Sequence, residues 1–291
     1  MNSSMDKYKN HKGSLVLRIL VYLAAAITVL ILVFLVGYIM IKGIPNITLE
    51  QFAWKYTTEN VSMMPAIINT IIMTAFTLLI AVPLGVFSAV FLVEYAGSNN
   101  PLVRVVRITT ETLQGIPSIV FGLFGFLFFV VALGWGLSLI AGVLTLAMMI
   151  LPVIMRTTEE ALRAVPDSYR EGSYGLGAGK LRTVFRIVIP TAMPGIFSGI
   201  ILGIGRIVGE TAALIYTAGA VTGIAKGLFH SGRTLSVHMY ELLSEGLYMN
   251  QAYATAVVLL IVVILINAAS DRAAKKIAKN AAGDTGEDDQ K

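Results

Sequence analysis

The chain has no cysteine among its 291 residues. Disulfides, thiolate nucleophiles and cysteine-ligated metals are therefore excluded. Charge is scarce as well: Asp, Glu, Lys and Arg make up 13% of the sequence, where a soluble domain carries about 25%. The three histidines, His11, His230 and His238, are scattered, with no spacing that suits a metal. No His-Glu-x-x-His, Gly-x-Ser-x-Gly or paired-aspartate arrangement occurs, which argues against a membrane enzyme. A P-loop is missing too. The nearest approach is Gly179-Lys180, but Tyr174 and Leu181 stand where a P-loop needs glycine and Ser/Thr. The chain is expected to hold no cofactor and no metal, and any nucleotide-derived energy must come from another chain.

What the sequence does have is apolar length. It is 56% hydrophobic, with a mean hydropathy of +0.78, and the apolar residues fall in runs near the 20 or so residues that a bilayer requires. Six spans are expected, at 15–41, 66–93, 108–133, 137–155, 191–220 and 252–269. The first is too long for a signal-peptide core and no small-x-small site follows it, so it is read as a retained helix. The fold class is all-α: a polytopic membrane protein of six transmembrane helices.

The net charge of +5 does not point to nucleic acid. The basic residues sit in short segments beside the apolar runs, sixteen on one side of the expected membrane against four on the other. The positive-inside rule then puts both termini in the cytoplasm. The domain division is a cytoplasmic segment 1–14, a first helix and outer loop 15–63, a transmembrane core 64–270 with a cytoplasmic loop 157–190, and a tail 271–291 that turns from basic to acidic. That acidic end, with Asp284, Glu287, Asp288 and Asp289, reads as disordered. Outside, a stretch with Leu235, Met239, Leu242 and Leu243 is expected to lie on the membrane surface or to meet a partner.

Two features carry chemistry. The cytoplasmic loop holds Pro166 and Asp167 at a helix start, Gly177 and Gly179 as C-cap positions, and a second helix with Leu181, Val184, Phe185 and Val188 on one apolar face. A short rigid helix tethered at both ends can pass on the movement of a bound partner. The fifth span holds Arg206 and Glu210 four residues apart, where one helix face would pair them. An arginine inside a span is a functional-site hypothesis by default, and its guanidinium suits a tetrahedral oxyanion. The alternative is a structural ion pair facing the bundle. Glycines 195, 199 and 203 repeat every fourth residue, which permits close helix approach in lipid. Pro117, with Gly115 before it and Ser118 after it, is expected to kink the third span beside a pore, although transmembrane prolines also occur without function.

The loop reads Glu171-Gly172-Ser173, three residues, Gly177, nine residues, Ile187-Val188-Ile189-Pro190. It resembles the Glu-Ala-Ala, three residues, Gly, nine residues, Ile-x-Leu-Pro loop of bacterial ABC importer permeases. Gly172 and Ser173 replace the alanines and Ile189 the leucine. Arg206-Ile207-Val208-Gly209-Glu210-Thr211-Ala212 is similar to the Ala-Arg-Ala-x-Gly-Glu-Thr-Ala-Pro stretch of phosphate-type permeases. Ile207 there replaces a small residue and Ala213 the proline. Gly115–Gly122 resembles their Gly-Ile-Pro-Ser-x-Val-x-Gly, and Glu94-Tyr95-Ala96 matches their Glu-Tyr-Ala. Leu151-Pro152 followed by Arg156–Leu162 fits the PstA-type subunit, while Met63-Met64 stands where Gly-Gly is usual. Over roughly 65–269 the chain thus resembles PstA-type permease subunits of the bacterial phosphate ABC importer, in the binding-protein-dependent transport permease family.

The resemblance implies a type I ABC importer permease core with a cytoplasmic coupling helix, in the bacterial inner membrane. It implies a second homologous permease subunit, two ATPase subunits that use ATP and Mg, and an extracytoplasmic phosphate-binding protein. Arg206, Glu210 and Thr211 would line the path of inorganic phosphate. Pro166, Glu171, Gly172, Ser173, Gly177, Gly179, Ile187 and Pro190 would form the ATPase-coupling loop. A permease for sulfate or molybdate is the nearest alternative, and an ion-coupled secondary transporter a more distant one.

Overall fold

A computed structural model of the chain describes residues 12–96 and 100–283. Lys7, Lys9 and the acidic tail from Asp284 lie outside the described residues. Among those described, every regular element is helical. Five helical runs are long and apolar enough to cross a membrane: Val16–Asn46, Met64–Tyr95, Leu139–Arg163, Lys180–Gly209 and Met249–Arg272.

The expected third span is not one kinked helix. Helix α3 (Pro101–Gln114) and helix α4 (Ser118–Gly125, prolonged by a wide turn over Phe126–Ala132) meet at 103°. Pro117 lacks an N–H and pushes Ile116 out of the helical region, so the corner forms there. Gln114 Nε2 donates to the Pro152 carbonyl at 3.1 Å. That bond ties the corner to helix α5 (Leu139–Arg163). The sixth span exists only as this bent pair.

Helix α5 is the centre of the molecule. Leu146, Met149, Ile150 and Ile154 are fully buried along it, packed with Met73 of helix α2 (Met64–Val90, continued by a π turn over Phe91–Tyr95) and with Ile207 and Leu214. Lipid tails are as apolar as leucine, so helices in a bilayer are held by close packing between small residues. A Cβ on Gly85 of α2 would come within 2.8 Å of Ile154 Cγ2. The glycines spaced by four work the same way. A Cβ on Gly195 would lie 2.6 Å from Ala161 Cβ, and one on Gly199 would lie 2.7 Å from Thr157 Cβ. That stripe therefore packs against α5 inside the chain, whereas Gly205 and Gly209 face open space.

The expected fifth span is displaced towards the cytoplasmic loop. Helix α7 (Lys180–Thr183), a π turn (Val184–Val188) and helix α8 (Ile189–Gly209) form one run. Pro190 has no N–H to complete the ladder, and the turn before it widens. The widening changes the register. Val184 and Val188 are buried, but Leu181 and Phe185, expected on the same face, are exposed.

Helix α1 (Lys12–Gly43) is exposed along most of its length. It meets the body near Tyr38, whose ring lies edge-on to Tyr253 of the last helix at 6.0 Å. The outer amphipathic stretch is helix α10 (Leu235–Glu245). It docks on the protein instead of lying free on a membrane surface: Leu235, Val237, His238 and Leu242 are buried. The last helix, α11 (Met249–Gly283), continues past the expected end of its span.

Candidate functional site

Helix α8 stops at Gly209. Glu210 is extended (φ −72°, ψ 129°), and after Thr211 a short helix α9 (Ala212–Thr217) begins. Arg206 and Glu210 therefore do not share a helix face, and the expected ion pair is absent. The Glu210 carboxylate instead accepts from the Ala213 N–H at 3.0 Å and caps α9. Its backbone carbonyl accepts from Ser236 Oγ of α10 at 2.5 Å. Glu210 is thus buried and committed to holding the break open. Thr211 beside it is half-buried.

Arg206 is left in the last turn of α8, where a cation complements the helix dipole. It is half-exposed. Among the described residues it makes no ion pair or hydrogen bond, and Gly205 beside it and Gly209 one turn on have nothing within contact distance of where a side chain would begin. A free guanidinium on an open face next to unwound backbone is a place where an anion can be held by two parallel N–H groups.

The corner at Gly115, Pro117 and Ser118 belongs to the same region. Gly122, at the end of the Gly-Ile-Pro-Ser motif, lies against α9: a Cβ there would fall 2.6 Å from Ala213 Cα. Two motifs about ninety residues apart in sequence thus meet backbone to backbone beside the break.

At the cytoplasmic end, helix α6 (Asp167–Gly175) follows Pro166. It ends in a Schellman turn. Ala178 N–H donates to Ser173 O at 3.1 Å and Gly177 N–H to Tyr174 O at 2.9 Å, with Gly177 at φ +81°. Gly179 is not a C-cap; it is the N-cap of α7. Ser173 is buried, and its hydroxyl meets Thr183 Oγ1 at 2.8 Å, which clamps α6 to α7. Ile187 is half-buried and gives its carbonyl to Thr191 Oγ1 at 2.7 Å. On the outward side Tyr169, Glu171, Gly172 and Leu176 are exposed, Leu176 by 91%. An exposed apolar tip on a rigid helix is a contact surface.

Arg170 is the residue that sequence reasoning missed. Its guanidinium reaches the Glu94 carboxylate (Nη2 at 2.8 Å, Nε at 3.2 Å), Leu162 O at 2.9 Å, Val165 O at 2.8 Å and Asp167 Oδ1 at 3.2 Å. Glu94 sits 76 residues earlier, in the π turn that ends α2, so no local pattern announces the pair. Beside it lies a cavity of about 510 Å³ lined by Glu94, Arg107, Arg163, Asp167, Arg170, Tyr174 and Lys180, among others. Glu159 holds both Arg107 and Arg163 at 2.7 Å.

Residues 81–282 match the family described as the binding-protein-dependent transport system inner membrane component. The chain belongs to this family. Among similar proteins is the probable ABC transporter permease protein YqgI of Bacillus subtilis, 36% identical over 271 residues, 85% of this chain and 90% of that one. Another is the phosphate transport system permease protein PstA 1 of Mycobacterium tuberculosis, 41% identical over 208 residues, 70% of this chain and 68% of that one.

Solved structures agree. A chain of the MetNI methionine ABC transporter in an inward-facing conformation superposes with a TM-score of 0.58 at 25% identity, covering 73% of this chain and 93% of that one. A chain of the bacterial alginate ABC transporter, in complex with a periplasmic protein bound to an alginate pentasaccharide, gives 0.67 at 14% identity, covering 94% and 98%. At that identity the likeness is one of fold. This binding-protein-dependent permease is thus an integral inner-membrane component of an ABC importer, with the type I importer fold.

Proposed function

We propose that the chain imports inorganic phosphate as one half of a two-permease pore. Two ATPase subunits drive it, an extracytoplasmic binding protein feeds it, and both termini are cytoplasmic. The observation that carries this reading is the free guanidinium of Arg206 on the open face beside the Glu210 break. The names of relatives support the choice of phosphate.

The geometry suggests how the parts divide the work. Glu210 is spent on capping α9, so Arg206, without a partner among the described residues, can receive oxygen atoms of a passing anion. Thr211 adds a hydroxyl at the same level. The cytoplasmic loop offers Tyr169, Glu171 and Leu176 to an ATPase, while Ser173, Gly177 and Gly179 keep the loop in shape. ATP-driven closure of the ATPase pair would then move α6 and alternate the access of the pore.

The test is ATP-dependent uptake of labelled phosphate by the reconstituted four-component system, with sulfate and molybdate as competitors. Uptake should need ATP and yield only to phosphate-like anions, and Arg206→Ala should abolish it while the complex still co-purifies. Competition by sulfate or molybdate would replace the substrate. Flux without ATP, or full uptake by Arg206→Ala, would overturn the reading.

A further inference from the structure

Resting on the proposed ATPase and binding-protein partners, we infer that α2 is a strut linking the coupling helix to the outer loop, with Arg170, Glu94, Asn69 and Thr70 as its positioning residues. At the cytoplasmic end the link is the Arg170–Glu94 pair. The Glu94 side chain is 5% exposed and that of Arg170 is 14% exposed. Arg170 spends its remaining donors on Leu162 O in the last turn of α5, on Val165 O just beyond that helix, and on Asp167. Helix α6 is therefore joined to α2 and α5 through one planar, permanently charged group. A lysine, being a point charge, could not make these bonds together.

At the other end of α2 the partner is the outer loop. Asn69 is fully buried. Its amide donates to Gly223 O at 3.0 Å and Arg233 O at 3.2 Å, and its carbonyl accepts from Ala225 N–H at 3.1 Å. Next to it, Thr70 Oγ1 accepts from Leu235 N–H, at the start of α10, at 2.8 Å. One side chain thus fixes three points of a loop more than 150 residues away. Between Asn69 and Glu94 lies a continuous helical run of roughly 37 Å at about 1.5 Å per residue. It passes through Pro83 without a break and is packed on α5 along the way.

Covalent tethers join α6 to α5 and α7, and the Ser173–Thr183 contact holds it against α7. The buried bonds at both tips of α2 add a path from the cytoplasmic loop to residues 221–235. A displacement of α6 must either break the Arg170 bonds or carry α2, and with α2 the outer loop. The same path read backwards lets a protein docking on the outer loop be felt at the coupling helix.

Distant, independent sites give additive mutational effects, and coupled ones do not. The test is a double-mutant cycle on the full complex with Arg170→Gln, Asn69→Ala and both together. The readout is the ratio of ATP hydrolysis with and without phosphate-loaded binding protein, alongside phosphate imported per ATP consumed. Each single change should lower the stimulation ratio by about tenfold, and the double change should be no worse than either alone.

Multiplying effects, or an unchanged ratio, would overturn the strut. If Arg170→Gln or Asn69→Ala fails to co-purify with the ATPase, the cycle is run with the near-isosteric Glu94→Gln and Thr70→Val, and the same criteria decide. Absence of ATP-dependent uptake in the unaltered complex would instead count against the functional reading itself.

Discussion

His238 is fully buried in α10. Its ring meets Tyr56 edge-on at 6.3 Å, and the same tyrosine lies under the Arg233 guanidinium at 4.9 Å. Burial first, and then the nearby Arg233 charge, pull its pKa down to about 3. The folded chain therefore keeps the imidazole neutral, whereas the unfolded chain protonates it near pH 6.5. Between those values the unfolded state binds the extra proton, so stability rises with pH across that window and is lost as pH falls through it. The loss is at most about 1.4 kcal/mol per pH unit. The amide protection factors of residues 221–245, exchange rates divided into the intrinsic rate at each pH, should fall between pH 6.5 and pH 4, and His238→Leu should flatten that profile. A wild-type profile with no loss of protection would show that the ring is solvated. Arg206 presents the opposite case at the same scale: a charge without a partner among the described residues.

Among the elements, α6 owes its end to one backbone angle. Gly177 at φ +81° is in the left-handed region that costs other residues roughly 1–2 kcal/mol. Gly177→Val should fray the end of α6 and lower phosphate imported per ATP by several-fold. Gly175→Ala is the control, because a Cβ there meets nothing, and it should import normally. An equal effect of both changes would mean that the turn geometry is irrelevant.

The sequence announces this loop well, because proline at a helix start and glycine at a C-cap are local signals. The α3–α4 corner is half legible. Pro117 marks it, but its size is fixed by Gln114 bonding to Pro152 on another helix. The break at Glu210 is harder. The apolar run continues through Ala213, Leu214 and Ile215 and imitates an unbroken helix. What ends α8 is tertiary: Ser236 on the Glu210 carbonyl and Gly122 against Ala213. Arg170 and Glu94 are legible separately as a charge and a motif residue, and only folding makes them a pair.

For the molecule as a whole, the lack of cysteine makes orientation simple to measure. Ser168 and Glu59 are both exposed, in the coupling helix and the first outer segment. With both termini cytoplasmic, Glu59→Cys should react with a membrane-impermeant maleimide added outside intact cells. Ser168→Cys should react only after the membrane is opened, and the reverse pattern would invert the topology.

The interruption of α8 also bears on how the membrane's electric field is distributed. Unwound backbone at Glu210 and Thr211 needs water or protein around it. Where water reaches that level, the insulating barrier begins beneath the outer surface and the resting voltage drops over a shorter distance. Carrying one negative charge inward against 100 mV requires about 2.3 kcal/mol, and a dianion about twice that. On the proposed phosphate path, that uphill step would fall between Arg206 and the cytoplasmic loop, the stretch that an ATP-driven helix α6 would move.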